Sequence, residues 1–190
     1  MTNKLELPDK LRQKVDKELE IGESIRWIGQ PIPRFFTASS MGSFLFAIPW
    51  TGFVIFWVLG ASGASIFFAM FGIPFLIVGF GMLSSPIWFW LSAKNTAYVI
   101  TNKRALSIAI PVTSFGNILS TTIRNYPPSK LKDIYRKERA DGTGDVVMAV
   151  QQSTSNFNSR RNQTTEEIGF MGISNPQEVE KMLRQLAEDD

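Results

Sequence analysis

The chain has no cysteine and no histidine among its 190 residues. That removes disulfides, thiolate nucleophiles, zinc sites of the usual kind and the ordinary general base near neutral pH. No acid pair on matched strands, metal-ligand set or nucleophile beside a base takes their place. The sequence therefore points to a protein that is not an enzyme and holds no cofactor. A strong excess of one charge is missing too, with 20 Lys and Arg against 17 Asp and Glu. The segment before Phe35 holds 7 basic and 6 acidic residues, and the segment after Ala93 holds 13 and 11. Neither is basic enough to suggest a nucleic-acid partner.

The most consequential absence is local. From Phe35 to Ala93 there is no Asp, Glu, Lys or Arg, while phenylalanine, tryptophan, leucine and isoleucine are dense. A domain in water cannot present so long an uncharged, aromatic-rich run. A bilayer requires one, at roughly 20 apolar residues per helix. The run predicts a transmembrane hairpin over 35–93, with helices at about 41–60 and 66–91 and Ala61-Ser62-Gly63-Ala64-Ser65 as the turn. The second helix would be about 39 Å long at 1.5 Å per residue, and Pro74 and Pro86 should kink it. Arg26 and Arg34 precede the hairpin, and Lys94, Lys103 and Arg104 follow it. The positive-inside rule then puts both termini in the cytoplasm of a multi-pass inner (plasma) membrane protein, with the turn outside. Trp57, Trp88 and Trp90 suit interfacial belts, whereas Trp50 and Pro49 fall mid-helix. The first 34 residues are charged throughout, so no secretory signal is expected among them.

The polar segments read as short elements. Residues 1–22 contain an amphipathic helix, Pro8 to Glu20, with Leu7, Leu11, Val15 and Leu19 on one narrow face and Gly22 to stop it. That face either packs on the domain that follows or lies in the membrane plane. Residues 23–34 hold a first strand ending at Gln30-Pro31-Ile32-Pro33. Residues 94–190 hold the rest. Thr96–Thr101 and Arg104–Ile110 are β-rich runs joined at Asn102-Lys103, followed by strands at Leu119–Tyr126, Asp133–Ala140 and Asp145–Gln151. A polar loop spans Gln152 to Thr165, and Glu166–Ile173 is the last strand. Asn175-Pro176-Gln177-Glu178 opens a helix over 175–188, whose Val179, Met182, Leu183 and Leu186 form one apolar stripe.

Four segments give this pattern a familiar look: Gly22-Glu23-Ser24-Ile25-Arg26-Trp27-Ile28-Gly29-Gln30-Pro31; Tyr98-Val99-Ile100-Thr101-Asn102-Lys103-Arg104-Ala105; the stretch from Tyr126-Pro127 to the turn Gly142-Thr143-Gly144-Asp145; and Gly169-Phe170 before the last helix. With them the chain resembles the bacterial membrane proteins that carry a pleckstrin-homology (PH) domain. The resemblance implies a seven-stranded PH-like β-barrel capped by a C-terminal α-helix, with the transmembrane hairpin inserted after the first strand. Eukaryotic relatives bind phosphoinositide headgroups through basic residues between strands one and two. Here that place holds Pro31-Ile32-Pro33-Arg34 and then the hairpin, so headgroup binding does not carry over.

Seven cations remain as candidate lipid-facing residues. Lys103 and Arg104 lie at a strand turn, and Lys130, Lys132, Arg136, Lys137 and Arg139 form the densest basic cluster, interrupted by Asp133 and Glu138. Attraction to an anionic phospholipid is worth about 1 kcal/mol per cation near the surface. The competing reading is a solvated strand whose charges discourage edge-to-edge aggregation. Gly142-Thr143-Gly144 lacks the Lys-Ser/Thr of a phosphate cradle and is a hairpin turn. Thr51, Ser84 and Ser85 are the nearest approach to polarity in the hairpin, too little for a conducting path. The sequence thus leads to a membrane-anchored interaction or scaffold domain that binds a protein partner or assembles as a homo-oligomer, with a sensor of anionic headgroups as the alternative.

Overall fold

In the computed structural model, residues 7–110, 121–154 and 163–188 are described. Pro33–Ser92 belongs to a unit of its own, apart from the unit assembled from the chain before and after it.

In the apolar unit, α2 (Ala38–Ser62) starts at a reciprocal cap. Thr37 Oγ1 accepts from Ser40 N at 3.2 Å, and Ser40 Oγ accepts from Thr37 N at 2.8 Å. Two of the helix's orphan donors are satisfied this way. The return run is not the single kinked helix expected over 66–91. It is three: α3 (Ile66–Phe71), α4 (Ile73–Leu83) and α5 (Ser85–Lys94). The breaks fall at Gly72 and Ser84, just ahead of Ile73-Pro74 and Ser85-Pro86. A proline's missing N–H costs nothing in a first helical turn, so each proline opens a new helix instead of bending an old one. Ser40–Ser62 and Ile66–Leu83, with mean hydropathies of 1.9 and 2.3, are long and apolar enough to cross a membrane.

Small residues let the arms meet. Ala47, Thr51 and Val54 on α2 and Ala69 on α3 are buried. A Cβ at Gly79 on α4 would stand 2.5 Å from Thr51 Oγ1, so only glycine fits there without a shift. Mid-helix Trp50 also finds a role inside the pair, its Nε1 donating to Phe75 O at 3.4 Å. Large side chains turn outward, Phe56 at 76% and Phe67 at 80% exposure. An exterior of this kind is adapted to apolar surroundings.

The other unit is α+β, and it corrects the expected barrel. Among the described residues there are seven strands and a C-terminal helix, but they form two antiparallel sheets and no single closed barrel. One is ordered β1 (Ile25–Gly29), β2 (Thr96–Thr101), β3 (Ala105–Ala109), β4 (Thr122–Tyr126). The other is β5 (Tyr135–Glu138), β6 (Thr143–Thr154), β7 (Gln163–Ser174). Besides their shared core, the sheets are joined at one corner by a backbone hydrogen bond, Ile32 N donating to Gly172 O at 2.7 Å. They part between β4 and β5. There Pro127 and Pro128 lack the donors a ladder needs, and Pro128–Lys130 forms a 3-10 turn.

The final helix α6 (Pro176–Glu188) fills that opening. Its Val179, Leu183 and Leu186 join Tyr98, Ile100, Leu131, Ile134, Val146 and Phe170 in the main core. Tyr98 and Trp27 stack on Phe170 at centroid distances of 4.6 and 6.0 Å. Helix α1 (Asp9–Glu18) covers the far face of the first sheet. Its Leu11 and Val15 are 1% exposed against Ala97, Val99, Leu106, Ile108 and Ile110, so its narrow apolar face is spent on the domain. Strands β6 and β7 run further than expected, to Thr154 and from Gln163, into the stretch assigned to a polar loop.

Candidate functional site

Of the seven candidate cations, Arg104 departs furthest from a lipid-facing role. Its Nε and Nη2 each donate to Glu23 at 3.0 Å, and Nη2 also donates to Glu18 O at 2.9 Å. Glu20 Oε1 stands 3.3 Å away. Glu23 is fully covered and additionally accepts from Glu20 N at 2.8 Å and Thr101 Oγ1 at 2.7 Å. Burial alone would raise the Glu23 pKa. The Arg104 hydrogen bonds, the Glu20 amide, the Thr101 hydroxyl and the Arg104 charge outweigh it and hold the carboxyl at about 2. The same hydrogen bonds raise Arg104 above its ordinary value. Lys103 Nζ donates to Ile21 O at 3.2 Å, and Asn102 exchanges backbone and side-chain bonds with Ser24 and Gly22. The β2–β3 turn is thus a clamp on the segment linking α1 to β1.

The Lys130–Arg139 cluster is dispersed by acidic neighbours. Arg136 lies 3.4 Å from Glu138 and 3.3 Å from Glu180 on α6. Lys137 grips both oxygens of Glu167 on β7, at 2.5 and 2.6 Å. That hydrogen bond raises the Lys137 pKa and lowers that of Glu167. Arg139 reaches Asp145 Oδ2 at 2.8 Å, while Asp145 Oδ1 accepts from Gly172 N at 2.6 Å. Lys130 and Lys132 are exposed, with no ion-pair partner among the described residues.

Sequence reasoning missed Glu23, Gln30 and Asp145 as organising residues. Gln30 Nε2 donates to Lys94 O at 2.9 Å and to Thr96 O at 3.3 Å, so it clasps the two chain ends from which the apolar insertion departs and returns. Glu23 meets Arg104 across 81 positions, and Gln30 meets Lys94 across 64. A single acid or amide at such range leaves no local pattern.

Surface features are modest. A shallow cleft of about 320 Å³ lies where α6 starts, lined by Glu138, Gly142, Pro176, Glu178 and Lys181 among others. Among the described residues no group of three or more acidic side chains gathers as a metal site would require. The sheet edges are more distinctive. Strand β5 pairs with β6 only as far as Tyr135↔Val147, while β7 accompanies β6 to Thr154↔Gln163. Past Val147, β6 is therefore an edge.

No family model matches this chain. No curated protein and no solved structure matches it either.

Proposed function

We propose that this chain is a membrane-anchored, PH-like interaction domain on the cytoplasmic face of the inner membrane, working as a scaffold without a catalytic step. The observation that carries this reading is the place of the insertion. The apolar hairpin interrupts the chain between β1 and β2, strands adjacent in one sheet. Helix α5 ends at Lys94 and β2 begins at Thr96. A domain threaded this way is held at the bilayer by its own backbone and needs no separate lipid affinity for targeting. The 4-plus-3 arrangement of strands, joined at one corner and plugged by a C-terminal helix, supports the PH-like assignment. The basic termini of the hairpin support the orientation.

A protein-binding role is preferred to a headgroup sensor because Arg104, Arg136, Lys137 and Arg139 are each engaged by a carboxylate of the same domain. Such cations present little net field beyond a Debye length of about 8 Å. The domain instead offers strand edges and a helix-plugged rim for surface recognition. Crosslinking in native membranes, with mass-spectrometric identification of neighbours, tests the reading. Reproducible adducts through the polar unit are expected. Recovery of the protein without any self or foreign neighbour, or a reporter fused after Asp190 found outside the cell, would overturn it.

A further inference from the structure

The sheet edges differ in charge, and the difference singles out one of them. Strand β1 carries Arg26, β4 carries Arg124, β5 carries Arg136, Lys137 and Glu138, and β7 carries Glu166 and Glu167. Charged edges resist pairing with another chain. Strand β6 has no charge after Asp145, and from Ala149 to Thr154 only β7 is paired with it. Among the described residues no backbone hydrogen bond reaches the other side of that segment. The neighbouring acids are already neutralised, Glu167 by Lys137 and Glu166 by Arg124 at 3.8 Å. Ala149 and Gln151 are exposed, and Val150 keeps 50% of its surface. The strand's register irregularity lies at Met148, between Val147 and Ala149; beyond it the edge has no Lys or Pro and is the template that soluble strands ordinarily avoid.

We infer that the occupant of this edge is a second copy of the chain, the two Ala149–Ser153 segments pairing antiparallel about a two-fold axis at Gln151. This names the partner of the interaction domain proposed above and rests on that reading. The open segment is its own complement. With Gln151 opposite its symmetry mate, position 150 pairs in register with 152 and position 149 with 153, and none of these residues is charged. A register centred one residue earlier would drive Ser153 against Val147, which β5 already occupies. A foreign strand could match the backbone, but the second copy alone brings the same uncharged face by symmetry. It also arrives anchored in the same bilayer, so the encounter takes place at a raised effective concentration. A single ladder is a small interface that would be weak between proteins free in water. Confinement to the membrane makes it sufficient.

The absence of native cysteine gives a clean test in the full-length protein in its own membranes. Opposed residues in an antiparallel pair have Cα atoms about 4.5 or 5.5 Å apart, inside the disulfide range of about 4.4–6.8 Å. Gln151→Cys under mild oxidation should give a dimer of twice the chain mass, with a yield on the order of tenfold above that from Asn125→Cys on the β4 edge. Val150→Cys and Gln152→Cys, co-expressed on separate chains, should crosslink to each other more than either does to itself. Equal yields from Gln151→Cys and Asn125→Cys would mean random collision and overturn the proposal. A monomeric Gln151→Cys protein would do the same. A photo-crosslinker at Gln151 then separates the two levels. Capture of a different protein sinks self-pairing but leaves the interaction reading standing, and capture of nothing removes both.

Discussion

Replacing Glu23 with Gln is the sharpest test of how the polar unit is held together. The wild-type carboxylate accepts from Arg104 twice, from the Glu20 amide and from Thr101, and it is fully covered. Its pKa falls from 4.5 to about 2 on folding. A tenfold change in proton affinity corresponds to about 1.4 kcal/mol, so the ceiling on its contribution is about 3 kcal/mol. Arg104 keeps 16% of its side chain in water and Glu20 keeps 60%, and screening at that rim brings the expected value to about 2 kcal/mol. For a chain of this size that corresponds to about 4–8 °C in Tm. The sign is fixed by linkage. A depressed carboxyl stabilises the fold above its unfolded pKa, and that stability disappears as pH falls through the folded one. The gap in Tm between wild type and Glu23→Gln should therefore be full above pH 4.5 and close toward pH 2. Thermal unfolding in detergent, followed by near-ultraviolet circular dichroism of the Trp27–Phe170–Tyr98 stack, measures it. A gap that does not change with pH, or none at pH 7, would refute the reasoning.

Further outcomes follow from the same structure. Gly79→Leu should drive the two arms of the hairpin apart, because even a Cβ there meets Thr51 Oγ1 at 2.5 Å; disulfide trapping between cysteines placed on α2 and α4 should fall sharply, and Gly79→Ala should lie between. Tyr98→Phe removes the hydroxyl that accepts from Met171 N at 3.1 Å and leaves a half-buried donor unpaired, at a cost of about 1–2 kcal/mol in thermal unfolding. Burial raises the Tyr98 pKa to about 12 against the opposing Met171 hydrogen bond, so absorbance titration should show this phenol ionising well after free tyrosine.

Legibility in the sequence divided along a physical line. Elements set by local periodicity were readable. The apolar hairpin, the stripe Val179-Met182-Leu183-Leu186 and the turn at Gly142 all lie within one window of the chain. Helix α1 was readable as a face, though not in its choice between sheet and membrane, since Leu11 and Val15 suit either solvent. Gly72 and Ser84 are breaks and not the expected kinks because Pro74 and Pro86 start helices as readily as they end them. The ends of β6 and β7 were lost because Gln152–Thr154 and Gln163–Thr165 extend by pairing with one another, without a hydrophobic alternation to announce them. The barrel fails to close where two adjacent prolines, Pro127 and Pro128, stop a ladder. The candidate cations were found by type, yet their carboxylate partners lie up to 81 positions away. Long-range pairing is the information a single sequence hides.

The insertion between β1 and β2 also orders events at the ribosome. Strand β1 is synthesised first, but Ser24, just ahead of it, meets Asn102 only after a further 78 positions of chain. The first sheet therefore stays unassembled until both apolar arms have been synthesised. Until then the Ile25–Gly29 segment is an orphan strand without its ladder partner.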